Sequence, residues 1–211
     1  MIRTLILLVI LTVSPRGEIA APVRVMVAAN FKDCLAELAD QYTARTGQVI
    51  VLSNGATGTL FAQIMAGAPC HIFFAADAER PLRLVNEGFA VANSRVTYAI
   101  GRLVLWGPDV TGGAENLVDA LDAAQLVAGK HLAIANPLHA PYGAAARQAL
   151  QTVGRWEALQ PCLVMGQSAG QTWQFVFTGA APLGFVSLAQ IRAAQRAEPT
   201  ADLGLVLVVP A

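Results

Sequence analysis

Four times along this chain a short apolar strand runs into small or hydroxyl-bearing residues, and a helical pattern begins at once. The junctions join 25–30 to 31–42, 49–55 to 57–66, 131–136 to 142–150 and 162–166 to 169–177. Each helix start presents backbone N–H groups with no intrahelical acceptor, at the positive end of the helix dipole. Four such ends facing one crevice would bind an anion without any Lys or Arg.

The alternation of strand and helix continues through the chain and predicts an α/β fold with mostly parallel sheets. Strands are expected at 25–29, 49–52, 71–75, 132–135, 163–165, 183–186 and 205–210, and helices at 31–42, 57–66, 80–87, 117–121, 142–153 and 172–178. Around residues 96–106 the rhythm changes. There, 98–100 and 103–106 read as one strand interrupted by Gly101 and Arg102. Two βα runs separated by this strand predict two lobes, residues 22–96 and 97–202, with 203–211 returning to the first lobe as a shortened end. Ligands of such folds sit beyond the carboxyl ends of the strands.

The N-terminal 21 residues read as a secretory signal. Arg3 precedes an apolar run at 5–13, and small residues follow at Ala20 and Ala21. A spanning helix needs about 20 apolar residues, so this run is too short to be one. Removing it takes away Arg3, Arg16 and Glu18 and leaves 12 basic against 13 acidic residues. With 55% hydrophobic and 13% charged residues the chain can bury a core, and disorder is excluded. No basic stripe exists to neutralise nucleic-acid phosphates. Cys34, Cys70 and Cys162 are odd in number and lack a CxxC spacing; they read as small core residues, although one pair could close in an oxidising compartment.

Signals for an enzyme are weak. No HExxH occurs, and Gly55-Ala56-Thr57-Gly58 lacks the lysine of a phosphate-binding loop. His71, His131 and His139 share no metal-like spacing, and Asp77 has no second carboxylate for acid–base work. No catalytic residue, cofactor or direct metal-ion ligand is therefore expected. Asn30 and Thr57 are residue types that cap helices, and they equally offer neutral donors to oxyanion oxygens. Pro141 cannot donate, so the first free amides of its helix belong to Tyr142 and Gly143. Ala169 and Gly170 are small enough to let backbone approach a ligand closely.

Several segments in this order and spacing resemble the periplasmic molybdate-binding proteins, the solute-binding components of ABC importers. They are Ala28-Ala29-Asn30 ahead of a helix; Gly55-Ala56-Thr57-Gly58-Thr59-Leu60 with Gln63-Ile64; Gly67-Ala68-Pro69; Ala75-Ala76-Asp77; Ala135-Asn136-Pro137 with His139-Ala140-Pro141-Tyr142-Gly143; and Ala181-Pro182-Leu183-Gly184-Phe185-Val186. The resemblance implies a two-lobed periplasmic-binding-protein fold of type II, with the ligand in the cleft. It implies capture of molybdate or tungstate, delivery to a membrane permease, a periplasmic location and a monomeric protein. By position it assigns the oxyanion to the side chains of Asn30 and Thr57 and the backbone of Tyr142 and Ala169, with Gly58, Gly143 and Ser187 as further contacts. Ser187 stands where some members carry a tyrosine, and Cys70-His71 replaces the family's usual Ala-Asp. The alternatives are another anion such as sulfate, a degenerate member that has left transport, or, from a different class and least favoured, an α/β enzyme such as a transferase using Asp77 or His139.

Overall fold

A computed structural model describes residues 21–110, 114–123 and 130–210. The signal expected at the N-terminus lies outside these residues, Ala21 apart. The first sheet is built from β1 (Val23–Ala28), β2 (Ile50–Gly55) and β3 (Ile72–Phe74), all parallel in the order β2-β1-β3. A 3-10 turn at Ala29–Phe31 leads from β1 into α1 (Lys32–Thr46); α2 (Thr57–Met65) follows β2, and α3 (Glu79–Asn86) follows β3. Register matters here. Ala28 pairs with Gly55, so β1 and β2 end side by side and the helices after them start at one edge of the sheet.

The second sheet holds β4 (Leu103–Gly107), β5 (Leu132–Ala135), β6 (Leu163–Gly166), β7 (Leu183–Ser187) and β8 (Leu205–Val208), in the order β6-β5-β7-β4-β8. Its helices are α4 (Leu117–Ala123), α5 (Pro141–Thr152), α6 (Trp156–Leu159), α7 (Ala169–Phe177) and α8 (Leu188–Ala197). β5 runs parallel to β6 and β7, and β4 runs antiparallel to β7 and β8. Ala135 pairs with Gly166, which again places two strand ends together below two helix starts.

Alternation along the strands sorts the cores. In the first sheet Val25 and Val27 face Leu35 on one side, and Met26 faces Leu60, Ile64 and Leu84 on the other. In the second, Leu105, Ile134, Leu183 and Phe185 pack with Leu150 of α5, while Val104, Trp106, Ala133 and Val186 pack with Val176 of α7 and Ile191 of α8. Both faces are covered, hence the continuous apolar runs of β4, β5 and β7.

Three expectations need correction. Residues 203–210 do not return to the first lobe. Gly204, at φ +60, turns the chain against the Gly107 and Pro108 carbonyls, and β8 then pairs with β4 from Leu205 opposite Gly107 to Val208 opposite Val104. Leu205 and Val209 are buried there in the second sheet's core, which is a stronger attraction than an exposed crossing. Residues 98–100 form no strand. The Tyr98 ring packs on Phe31 and Phe74, its hydroxyl donates to the Ala75 carbonyl at 2.9 Å, and Ile100 stays exposed. Finally, α8 occupies a segment for which no element was expected. All three cysteines are free and half-buried.

Candidate functional site: a crevice of helix starts

The four junctions meet. A small cavity between the lobes is lined by Ala28, Ala29 and Asn30, by Gly55, Ala56 and Thr57, by Ala76, by Ala140, Pro141 and Tyr142, and by Ala169. None of these lining residues is charged. A larger groove of about 1090 Å³ opens beyond Asn30 and Tyr142. Its walls include exposed Ile72, Val96 and Ile100, and a space of that size does not enclose a small oxyanion.

The donor set follows from how the helices begin. The first intrahelical bonds are Leu60 N to Ala56 O, Ala144 N to Ala140 O and Thr172 N to Ser168 O, at 3.0, 3.1 and 3.0 Å. The amides of Thr57, Tyr142 and Ala169 precede those bonds and lie at the cavity with no acceptor within their own helices. Ala28, Ala56 and Ala140 are the residues at the cap positions, in extended conformation and with no side-chain cap. Asn30 and Thr57 are therefore not caps, which leaves both side chains for other work. Asn30 sits inside the 3-10 turn. Thr57 is fully buried; its Oγ1 accepts from the Ala76 amide at 3.1 Å and keeps its own hydrogen to donate. Only the fourth start is capped by a side chain, Ser168 Oγ accepting from Gln171 N at 3.3 Å.

Tyr142 links the lobes. The Asn30 side chain lies beside its hydroxyl, and a Cβ on Gly101 would sit 2.3 Å from that oxygen. Burial pushes the Tyr142 phenol up, and the Asn30 side chain draws it partly back. Gly58 and Gly143 do not line the cavity. Gly58 N donates to His139 O at 2.8 Å and Gly143 N to Ala140 O at 2.9 Å. Ser187 is also away from it, fully buried, with its hydroxyl engaged by Gln190.

Two of the remaining candidates have structural partners. His71 Nδ1 accepts from Arg24 N at 2.9 Å, and Asp77, just ahead of α3, accepts from Arg80 N at 2.9 Å and pairs with the Arg80 guanidinium. Among the described residues no three His, Cys, Asp or Glu side chains cluster to hold a metal ion. Gln190 was overlooked by sequence reasoning. The signal for it was present in Ser187-x-x-Gln190, the pattern of a reciprocal helix cap.

The profile of the bacterial extracellular solute-binding proteins matches residues 23–211. This chain belongs to that family. Among solute-binding proteins of known role, it is 47% identical over 173 residues to the molybdate-binding protein ModA of Azotobacter vinelandii, covering 82% of this chain and 67% of the relative. It is 42% identical over 175 residues to ModA of Rhodobacter capsulatus, covering 83% and 66%. The chain thus spans about two thirds of the length of these curated relatives. The solved periplasmic molybdate-binding protein of A. vinelandii superposes with a TM-score of 0.78 at 41% identity, over 90% of this chain and 79% of that one. The sulfate-binding protein SubI of Mycobacterium tuberculosis shares the fold, with a TM-score of 0.66 at 14% identity over 89% and 70%. The α/β architecture is therefore that of the periplasmic binding proteins.

Proposed function

We propose that this solute-binding protein captures molybdate or tungstate in the crevice between its lobes and delivers it to an ABC importer. The observation that carries this reading is the convergence of four helix starts on one uncharged cavity. The relatives' names, at 42% and 47% identity, support the choice of oxyanion. Asn30 and Thr57 supply side-chain donors, and Thr57, Tyr142 and Ala169 supply amides. All can donate, so a fully ionised tetrahedral dianion is satisfied, while the O–H of a protonated phosphate would meet no carboxylate to accept it. Contacts from both lobes make the anion bind the closed form better than the open one, which drives closure.

The protein acts as a monomer in the periplasm, exported by its N-terminal segment, and carries out no chemistry on its ligand. Calorimetry of the purified protein against molybdate, tungstate, sulfate and phosphate tests the reading. Tight binding of the first two and none of phosphate is expected. Preference for phosphate, or failure to bind any of the four, refutes it.

A further inference from the structure

We infer that Gln190 is a positioning residue for the oxyanion site, its side-chain amide clamping the first turn of α7 in the orientation that aims the Ala169 end of that helix at the ligand. The inference rests on the proposed oxyanion reading and adds to it a residue outside the cavity.

Gln190 is only 7% exposed, so its amide needs partners inside the protein. Both ends have them. Oε1 accepts from Ser187 N at 3.0 Å and from Ser187 Oγ at 2.9 Å, while Nε2 donates to the Ala169 carbonyl at 3.2 Å. Turning the amide over would set Nε2 against the Ser187 N–H and Oε1 against the Ala169 oxygen, so the network admits one orientation. A reciprocal helix cap uses only the oxygen of its Gln. Here the nitrogen does something more, reaching back 21 residues to a different helix.

The carbonyl it holds belongs to the peptide unit that carries the Gly170 N–H, and the Ala169 N–H lies one Cα away. Fixing that plane fixes the tilt of both amides at the point where α7 meets the first lobe. Gly170 faces Ala29 across the cleft, where an added Cβ would make ordinary contact with the Ala29 Cβ at 3.4 Å. Ser168 secures the Gln171 amide through its hydroxyl and Thr172 through its carbonyl, but none of these bonds is to the 169–170 peptide unit. Hydrogen bonding to the carbonyl also polarises the peptide and strengthens its N–H as a donor.

Two variants and two readouts test the clamp. Gln190→Glu keeps the cap to Ser187 and replaces only the clamping donor with an oxygen; Gln190→Leu removes the amide without adding charge. Each is titrated with molybdate by calorimetry and by ¹⁵N amide spectra. Molybdate affinity is expected to fall roughly three- to tenfold in both, one neutral hydrogen bond's worth. The ligand-induced shifts of the Ala169 and Gly170 amides should shrink while that of Thr57 persists, which a general loss of stability would not produce. Affinity of the Glu variant should recover as pH falls and the carboxyl regains a hydrogen to donate. If Gln190→Leu does not fold, the Glu variant carries the test alone. Wild-type affinity with unchanged Ala169 and Gly170 shifts in a folded variant overturns the inference. Wild-type protein that binds no oxyanion overturns the reading beneath it instead.

Discussion

The amide of Gly58, at the start of α2 in the first lobe, donates to the His139 carbonyl of the second lobe at 2.8 Å. Arg80 reaches the neighbouring Leu138 carbonyl at 3.4 Å, so two contacts tie the lobes beside the cavity. A Cβ at Gly58 would lie 3.0 Å from His139 O and 3.1 Å from Arg80 Nη2, tighter than side chains normally tolerate. Gly58→Ala should therefore weaken closure without unfolding either lobe. We expect several-fold weaker oxyanion binding and a larger radius of gyration with ligand present, measured by calorimetry and small-angle scattering.

Thr57 serves two partners from one hydroxyl. Its oxygen accepts from Ala76 N, and its hydrogen is the proposed donor to the anion. Thr57→Val preserves shape but leaves the half-buried Ala76 amide without that acceptor, costing about 1 kcal/mol of stability. Affinity should fall about ten- to a hundredfold, the worth of a hydrogen bond to a charged group. Thr57→Ser should retain both properties. Melting curves and titrations of the two variants separate the effects, and unchanged binding in Thr57→Val would remove Thr57 from the site.

Gly101 leaves space for the Tyr142 hydroxyl, and an added Cβ would come within 2.3 Å of it. Gly101→Ala should push the Tyr142 ring off Asn30 and destabilise the protein by about 1–3 kcal/mol. Tyr142→Phe removes the obstructing oxygen. The double variant should then be clearly more stable than the sum of the single effects predicts, and simple additivity in a double-mutant cycle would disprove the contact.

Burial, and then the charge that Tyr142 would carry, push the Tyr98 phenol from its ordinary 10.0 to about 12. The folded state thus holds its proton more tightly than the unfolded chain. The contribution is complete below pH 10 and is lost as pH rises from there through 12. Denaturant unfolding at intervals across this window should show falling stability. Tyr98→Phe should flatten the decline, leaving the part due to Tyr142, whose phenol is also raised.

Salt separates neutral donors from cations. Lys32 is the cation nearest the first junction in sequence, yet its side chain is 52% exposed, lies 3.9 Å from Asp33 and does not line the cavity. Desolvated hydrogen bonds are screened far less than exposed charges. Molybdate affinity should change little between low and high sodium chloride, and Lys32→Ala should leave it almost as it was. A steep salt dependence that vanishes in Lys32→Ala would show that a cation holds the ligand.

Local order was legible in the chain because its cause is local. Strand ends such as Ala28 and Ala135, followed by helix periodicity, announced the helix starts, and the alternation of elements announced two α/β lobes. Asn30, Thr57, Tyr142 and Ala169 could be singled out because they stand at those starts. What they do there depends on partners far away in sequence. That Ala56 rather than Thr57 takes the cap position was settled by the path of β2, whose last residue, Gly55, pairs with Ala28. That Gly58 and Ser187 are spent on His139 and Gln190 was settled by packing between segments tens of residues apart or across a helix cap. Residues 98–100 form an apolar run like that of a buried strand yet pair with nothing, because a ladder needs a neighbour and local pattern cannot supply one. Likewise β8 has the composition for either lobe, and only the turn at Gly204 against Gly107 and Pro108 sends it to β4. The sequence by itself determined where donors would be exposed; the tertiary structure decided which of them converge on one cavity, because convergence is set by register and lobe contact rather than by local propensity.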